Sequence, residues 1–326
     1  MRSKWQVLGM VMVVTLLAFP ARLATAQAYP SKAIRLVVPF PPGGSNDVIA
    51  RILGRKMGES LGVSVVIDNR PGVGGVLGSD LVAKSAPDGY TLMIGATSTM
   101  AVNPSLYTKM PFDPLKDLTP ITQIASGPFV LAVPASLPAK TVEEFIALAK
   151  AKPGQLNFGS SGNGTSLHLT AELFKSMAKV DIVHVPYKGA GPALTDLVGG
   201  RIHMIFSDMA ALAPFVKSGQ LRALGVTSAR RSAALPDLPT ISDSGVPGYV
   251  ATSWYGILGP AGIPSEIVAK LGAEISKIVH APEMRDRFLG LGIVPVTGTP
   301  DDFRAFMRGE IAKWGGVVKA SGAKAD

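Results

Sequence analysis

A glycine-rich turn is the first stretch of the sequence whose residue types could bind a ligand. An apolar run ends at Val38, and two prolines, two glycines and a polar trio lead into a helical pattern. Glycine leaves the backbone bare, so a ligand can approach its N–H groups. A helix start adds unpaired N–H donors and the positive end of the helix dipole. The turn therefore predicts an anion site, carboxylates included, that needs no cationic side chain. Its candidate residues are Phe40, Gly43, Gly44, Ser45, Asn46 and Asp47, with the N–H groups from Gly43 to Asn46 as donors.

A second polar, glycine-rich turn follows the short apolar run at 156–158 and also leads into a helical pattern. Backbone N–H and hydroxyl groups would again be the donors. If the two turns face one another, both suit one carboxylate. The candidate residues are Ser161, Gly162, Asn163, Gly164, Thr165 and Ser166, with His168 just inside the helix.

Three further positions are candidates for the same cleft. Ser98 and Asp208 follow the third apolar run of two similar segments, where strand ends point toward a ligand. Tyr187 could line the cleft or pack in an ordinary way. Asp208 could accept a hydrogen bond from a ligand or cap a loop, and Asp47 could serve the helix dipole alone.

A repeated order of elements would position these residues. Strand, helix, strand, helix, strand is predicted between residues 34 and 98 and again between 156 and 208. We expect an α/β fold of two lobes, each a mostly parallel sheet flanked by helices. Two stretches, 121–133 and 250–258, could cross between them. Residues 29–128 and 252–326 would then form lobe 1, and residues 129–251 an inserted lobe 2 with a two-strand hinge.

The N-terminus and the composition limit the location and the partners. Arg2 and Lys4 precede an apolar run, and small residues follow it, so residues 1–28 read as a secretory signal peptide. Cysteine is absent, so we expect no lipid-attached thiol and no disulfide. The net charge of +9 is scattered and aromatic residues make up only 6%, which argues against nucleic-acid binding.

The sequence lacks the common catalytic motifs and so gives little support for an enzymatic activity. The four histidines have no zinc-protease spacing, and neither a nucleophile elbow nor a phosphate-binding loop of the NTPase type occurs. We expect no metal and no cofactor. An exported hydrolase or lyase that recruits Ser161, His168 or Asp208 stays open as an alternative.

An ordered set of short motifs resembles the Bug-type solute receptors of tripartite tricarboxylate transporters, over essentially the whole chain after residue 28. The motifs are YPSK (29–32), FPPGGSND (40–47), NRPG (69–72), PDGYTL (87–92), YKG (187–189), WYG (254–256) and GPAGIP (259–264).

The resemblance implies a two-lobed fold like that of class II periplasmic binding proteins. It also implies binding of a small carboxylate by the two turns, with the site residues at 43–47, 160–166, Ser98 and Asp208. Expected partners are two integral-membrane transporter subunits, with the receptor a soluble periplasmic monomer. A solute-sensing signalling subunit is the alternative, and which acid is bound stays open.

Overall fold

The structure is a computed structural model that describes residues 29–325. The signal peptide expected at residues 1–28 lies outside the described residues. The first part of the chain forms β1 (Ile34–Val38), α1 (Ser45–Leu61), β2 (Val65–Asn69), α2 (Val76–Ala83), β3 (Thr91–Ala96), α3 (Asn103–Leu106) and β4 (Leu118–Pro128). The middle forms β5 (Val130–Pro134), α4 (Val142–Ala151), β6 (Asn157–Ser160), α5 (Ser166–Ala178), β7 (Val183–Pro186), α6 (Ala190–Val198), β8 (Met204–Ser207), α7 (Met209–Lys217) and β9 (Leu221–Val226). The last part forms β10 (Thr252–Pro260), α8 (Ser265–His280), α9 (Pro282–Gly290), β11 (Val294–Pro295) and α10 (Pro300–Ser321).

Two sheets carry the fold. The first has the strand order β11-β4-β10-β3-β1-β2, and the second has the order β7-β6-β8-β5-β9. The chain leaves the first sheet between β4 and β5 and returns to it with β10. The first sheet is therefore built from both ends of the described chain, and the second sheet from its middle.

The sheets are mixed, whereas the sequence predicted mostly parallel ones. β1 pairs in parallel with β2 and β3, and β6 pairs in parallel with β7 and β8, as the repeated strand–helix order requires. The crossing strands run the other way. β10 pairs antiparallel with β3 and β4, and β5 with β8 and β9. Hydrophobic periodicity gives no strand direction, so the sequence could not reveal this.

Helix α1 illustrates how the sequence positions the first turn. Ile49, Leu53 and Met57 recur at every fourth position and are buried, so this face anchors the helix on the sheet. Gly62 ends the helix in the left-handed conformation (φ 70°), and its N–H donates to Gly58 O at 3.0 Å. With this face packed, the N-terminal end of α1 is held at the carboxyl end of β1.

Helix α10 connects the two halves. Its first turn is fixed by a capping box between Thr299 and Asp302. The helix packs on β4 and α3 of the first half and also on α5 of the second. Buried Trp314 and Val317 of this helix belong to one apolar cluster that includes residues of both sheets, and the assignment of the tail to lobe 1 stays a prediction.

Candidate functional site

A cavity of about 360 Å³ lies between the two halves, at the ends where the paired turns meet. Phe40 and Ser98 from the first half line it, as does Asp208 from the second. The Leu106 side chain of the first half packs against Gly164 of the opposite half and leaves no room for a Cβ at Gly164. Ten of the sixteen candidate residues line the cavity: Phe40, Ser45, Asn46, Ser98, Ser161, Asn163, Gly164, Thr165, Ser166 and Asp208.

The first turn is held by the carboxylate of Asp47. This buried group accepts hydrogen bonds from the Gly43 N–H, the Arg51 Nε and the Asn69 Nδ2, each at 2.9 Å. The hydrogen bond from Arg51 is the largest of the causes that lower the pKa of Asp47 to about 2. Asp47 is therefore a structural residue of the turn and does not line the cavity.

Fewer N–H groups at the start of α1 are free for a ligand than the sequence predicted. The Gly43 N–H is used within the turn by Asp47, which corrects its assignment as a ligand donor. The first hydrogen bond of the helix runs from Val48 N to Gly44 O at 3.0 Å. Within the described chain, the N–H groups of Ser45 and Asn46 have no backbone acceptor, and both residues line the cavity. The Asn46 Oδ1 is also buried without a partner.

The second turn is held by hydroxyl and imidazole groups. The Gly162 N–H donates to Ser160 Oγ at 3.1 Å, and the Gly164 N–H donates to His168 Nδ1 at 3.0 Å. Thr165 Oγ1 accepts from the His168 N–H at 3.4 Å and so caps α5. The two glycine donors are therefore internal, and the N–H groups of Ser166 and Leu167 are those that the helix start leaves for the cavity, which both residues line.

His168 lies beneath the second turn and not in the cavity. Its ring stacks on that of His184 with centroids 3.9 Å apart, and His184 Nε2 lies 2.7 Å from Ser160 Oγ. Burial, followed by nearby positive charge, lowers the pKa of both histidines to about 4. A neutral His168 is required because its Nδ1 accepts the Gly164 N–H. Of the three residues named for the hydrolase or lyase alternative, His168 therefore lies outside the cavity, whereas Ser161 and Asp208 line it.

Tyr187 also lies outside the cavity. Its hydroxyl donates to Asp196 Oδ2 at 2.7 Å, and its ring packs near Gly159 of β6. Gly43, Gly44, Asp47, Gly162 and His168 likewise support the cavity walls without lining them. The placement of these six residues does not support the predicted contact with a ligand. Their polar groups make hydrogen bonds within the protein instead.

Several lining residues were not predicted from the sequence. Tyr255 on β10 is buried, and its hydroxyl neighbours Ser45 and Ser253. Thr97 lines the cavity beside the predicted Ser98, and its Oγ1 accepts the Trp254 N–H at 3.0 Å, which links the end of β3 to β10. The signal was available in the WYG motif at 254–256 and its place on a crossing strand, although neither says which side chain faces the ligand. Other lining residues of this kind are Asn103, Leu106, Tyr107 and Phe129.

Two sheets joined by crossing strands, with two helix starts facing one cavity between them, define a solute-binding protein. The chain belongs to the family described as the tripartite tricarboxylate transporter family receptor, whose sequence profile matches residues 49–323. The chain is 40% identical to Protein BugT of Bordetella pertussis over 92% of both chains.

Solved structures give the same family. One described as R. palustris Rpa4515 with adipate is 39% identical with a TM-score of 0.81, over 91% of this chain and 99% of that one. MatC from Rhodopseudomonas palustris with bound malate is 32% identical with a TM-score of 0.76, over 89% of this chain and all of the other. The chain is thus a solute-binding receptor of a transporter family, as its motifs predicted.

No helix between residues 29 and 325 has the length and apolar character needed to cross a membrane. In the same residues, no group of three or more histidine or acidic side chains is arranged as a metal site.

Proposed function

We propose that this chain captures a small carboxylate between its halves, with the carboxylate held by the N–H groups of two helix starts. One observation carries the proposal. The starts of α1 and α5, which belong to opposite halves, line the same cavity. No cationic side chain of residues 29–325 lines the cavity. The positive potential comes instead from the two helix dipoles and from the free N–H groups of Ser45, Asn46, Ser166 and Leu167. Relatives solved with adipate and with malate support this class of ligand.

The same proposal covers motion, location and partners. We propose that residues 129–251 move as one lobe against residues 29–128 and 252–326, with β4–β5 and the segment before β10 as the hinge. The protein is exported by residues 1–28 to the periplasm, acts as a monomer and passes its solute without chemical change to two membrane subunits of the transporter. The solved structure of the periplasmic binding protein BugD, which is 29% identical to this chain, supports the proposed location.

Thermal shift and titration calorimetry against dicarboxylates, amino acids, hydroxy acids and aromatic acids test the binding step. A ligand present at about a hundredfold over its Kd adds about 2.7 kcal/mol to the free energy of unfolding. We expect at least one small acid to do so and to be recovered unchanged. Absence of any shift across the panel, or turnover of the bound acid, would contradict the proposal.

The variant Gly44→Val tests the first helix start. The backbone of Gly44 is extended (φ −79°), and an added Cβ meets nothing nearer than Pro41 O at 4.0 Å, so the variant should fold. The larger side chain would crowd the N–H groups of Ser45 and Asn46, and we expect at least a tenfold loss of affinity. Gly309→Val, on the exposed face of α10 where an added Cβ meets nothing within 4 Å, is the matched control. Equal affinities of the two variants would mean that the turn is structural only.

A further inference from the structure

Asp208 occupies an unusual place in the cavity. It follows β8 directly and is the N-cap residue of α7, with an extended backbone (φ −66°, ψ 142°). An aspartate at this position normally accepts an N–H of its own helix, but this side chain makes no cap hydrogen bond. Instead it lines the cavity, and no other residue in the described chain donates a hydrogen bond to its carboxylate. The group is therefore available to a ligand.

The surroundings of Asp208 contain no countercharge. Every other residue that lines the cavity is uncharged, with serine, threonine, asparagine and aromatic side chains predominating. Tyr255 faces Asp208 from the opposite half, and burial together with the Asp208 charge raises the pKa of its hydroxyl. Burial also raises the pKa of Asp208 to about 6, so the carboxyl group is mostly ionised at pH 7.5.

The consequence is a cavity with opposite preferences at two places. The helix starts attract a carboxylate. An ionised acid without a countercharge attracts a positive charge or a hydrogen-bond donor and repels a second carboxylate. We propose that Asp208 selects, among small acids, those that carry an ammonium or hydroxyl group away from the bound carboxylate, and that it disfavours dicarboxylates. This inference rests on the proposed function, because it assumes that the helix starts hold the first carboxylate.

Two matched series of acids test the selection by calorimetry at pH 7.5. The first comprises hexanoate, 6-hydroxyhexanoate, 6-aminohexanoate and adipate, and the second is the corresponding four-carbon series ending in succinate. Each member has the same first carboxylate and differs only at the distal group. We expect the amino or the hydroxy acid to bind at least tenfold more tightly than the diacid of its series, and the order of these two shows whether charge or donor decides.

The variant Asp208→Asn keeps the size and the N-cap preference of the residue but removes its charge. We expect the diacids to gain about tenfold in affinity and the amino acids to lose about tenfold. Asp243→Asn, an exposed change of the same charge in the same half, should leave the order of ligands unchanged. A diacid that binds the unaltered protein best, or an order that Asp208→Asn does not change, would overturn the assignment.

The outcomes also separate this inference from the proposed function. If the plain acids bind and Gly44→Val abolishes their binding while Asp208→Asn changes no preference, the helix-start site stands and the role of Asp208 is wrong. If no member of either series binds to the unaltered protein or to Asp208→Asn, the carboxylate site itself is wrong and the selection by Asp208 is overturned with it.

Discussion

The two turns that face the cavity have the same backbone plan but are held by opposite chemistry. In the first turn an ionised Asp47 accepts the Gly43 N–H, four residues before it. In the second turn a neutral His168 accepts the Gly164 N–H, also four residues before it. Both acceptors lie in the first turn of the following helix and shape the loop from below. The cavity therefore depends on one group that must be charged and on another that must be uncharged.

This difference predicts that the two turns lose stability on acidification in different pH ranges. The pKa of Asp47 is lowered to about 2, so its contribution to stability is present above its ordinary value near 3.8 and is lost only as the pH falls toward 2. The pKa of His168 is lowered to about 4, so its contribution is complete above 6.5 and is lost as the pH falls from 6.5 toward 4. On acidification, the second turn should weaken first.

The largest expected effect is that of Asp47→Asn. The asparagine removes the charge that pairs with Arg51 and must present its amide group to one of three donors. Because Arg51 is half-exposed and stays hydrated, we expect a loss of about 2–4 kcal/mol in the free energy of unfolding, measured by urea denaturation at pH 7.5. Glu59→Gln on the same helix is the control, since it removes the ion pairs of an exposed glutamate with Arg55 and Lys56. A loss no greater than that of the control would show that the charge does not hold the turn.

The second effect is the pH dependence of the second turn. For His168, which is 6% exposed, we expect about 2 kcal/mol of stability to be lost between pH 7.5 and pH 5. His168→Asn keeps an acceptor near the Nδ1 position but does not titrate, so the slope of the unfolding free energy against pH should become shallower. His184 retains its own part of the slope, because burial lowers its pKa as well.

A control for this measurement is His280→Asn, at the exposed end of α8. Its effect on the slope is the baseline with which the effect of His168→Asn is compared. If His168→Asn preserves the full slope, the pair of stacked histidines is not what makes the second turn sensitive to acid.

The sequence predicted more of the fold than of the site's chemistry, for physical reasons. Hydrophobic periodicity and the glycine-rich stretches between apolar runs predicted the positions of the two turns, because helix starts and strand ends follow from local residue types. The sequence could not show that Asp47 and His168 turn inward, since that depends on which N–H groups the closed loop leaves nearby. Tyr255 was missed because it lies on a crossing strand about 210 residues after Ser45, and only the antiparallel pairing of β10 with β3 brings the two together. Asp208 was found because the strand–helix repeat fixes the end of β8.

The smallest expected effect is that of Tyr187→Phe. It tests whether the position that Tyr187 shares with Arg70 of the first half serves ligand binding or only the fold. The Tyr187 N–H donates to Ser160 O at 3.2 Å, as the Arg70 N–H donates to Val38 O at 2.8 Å in the first half. The backbone hydrogen bond is thus the same in both halves. The side chains differ, since Tyr187 donates to Asp196 and Arg70 donates to Asp68. Because the Tyr187 hydroxyl lies outside the cavity, its removal should cost about 1 kcal/mol or less and change ligand affinity by less than about twofold. Tyr255→Phe removes a hydroxyl that faces the cavity and should weaken binding several-fold. Comparable losses of affinity in the two variants would show that Tyr187 contributes to ligand binding. Tyr187 and Arg70, which occupy matching positions in the two halves, would then differ in function as well as in side-chain chemistry.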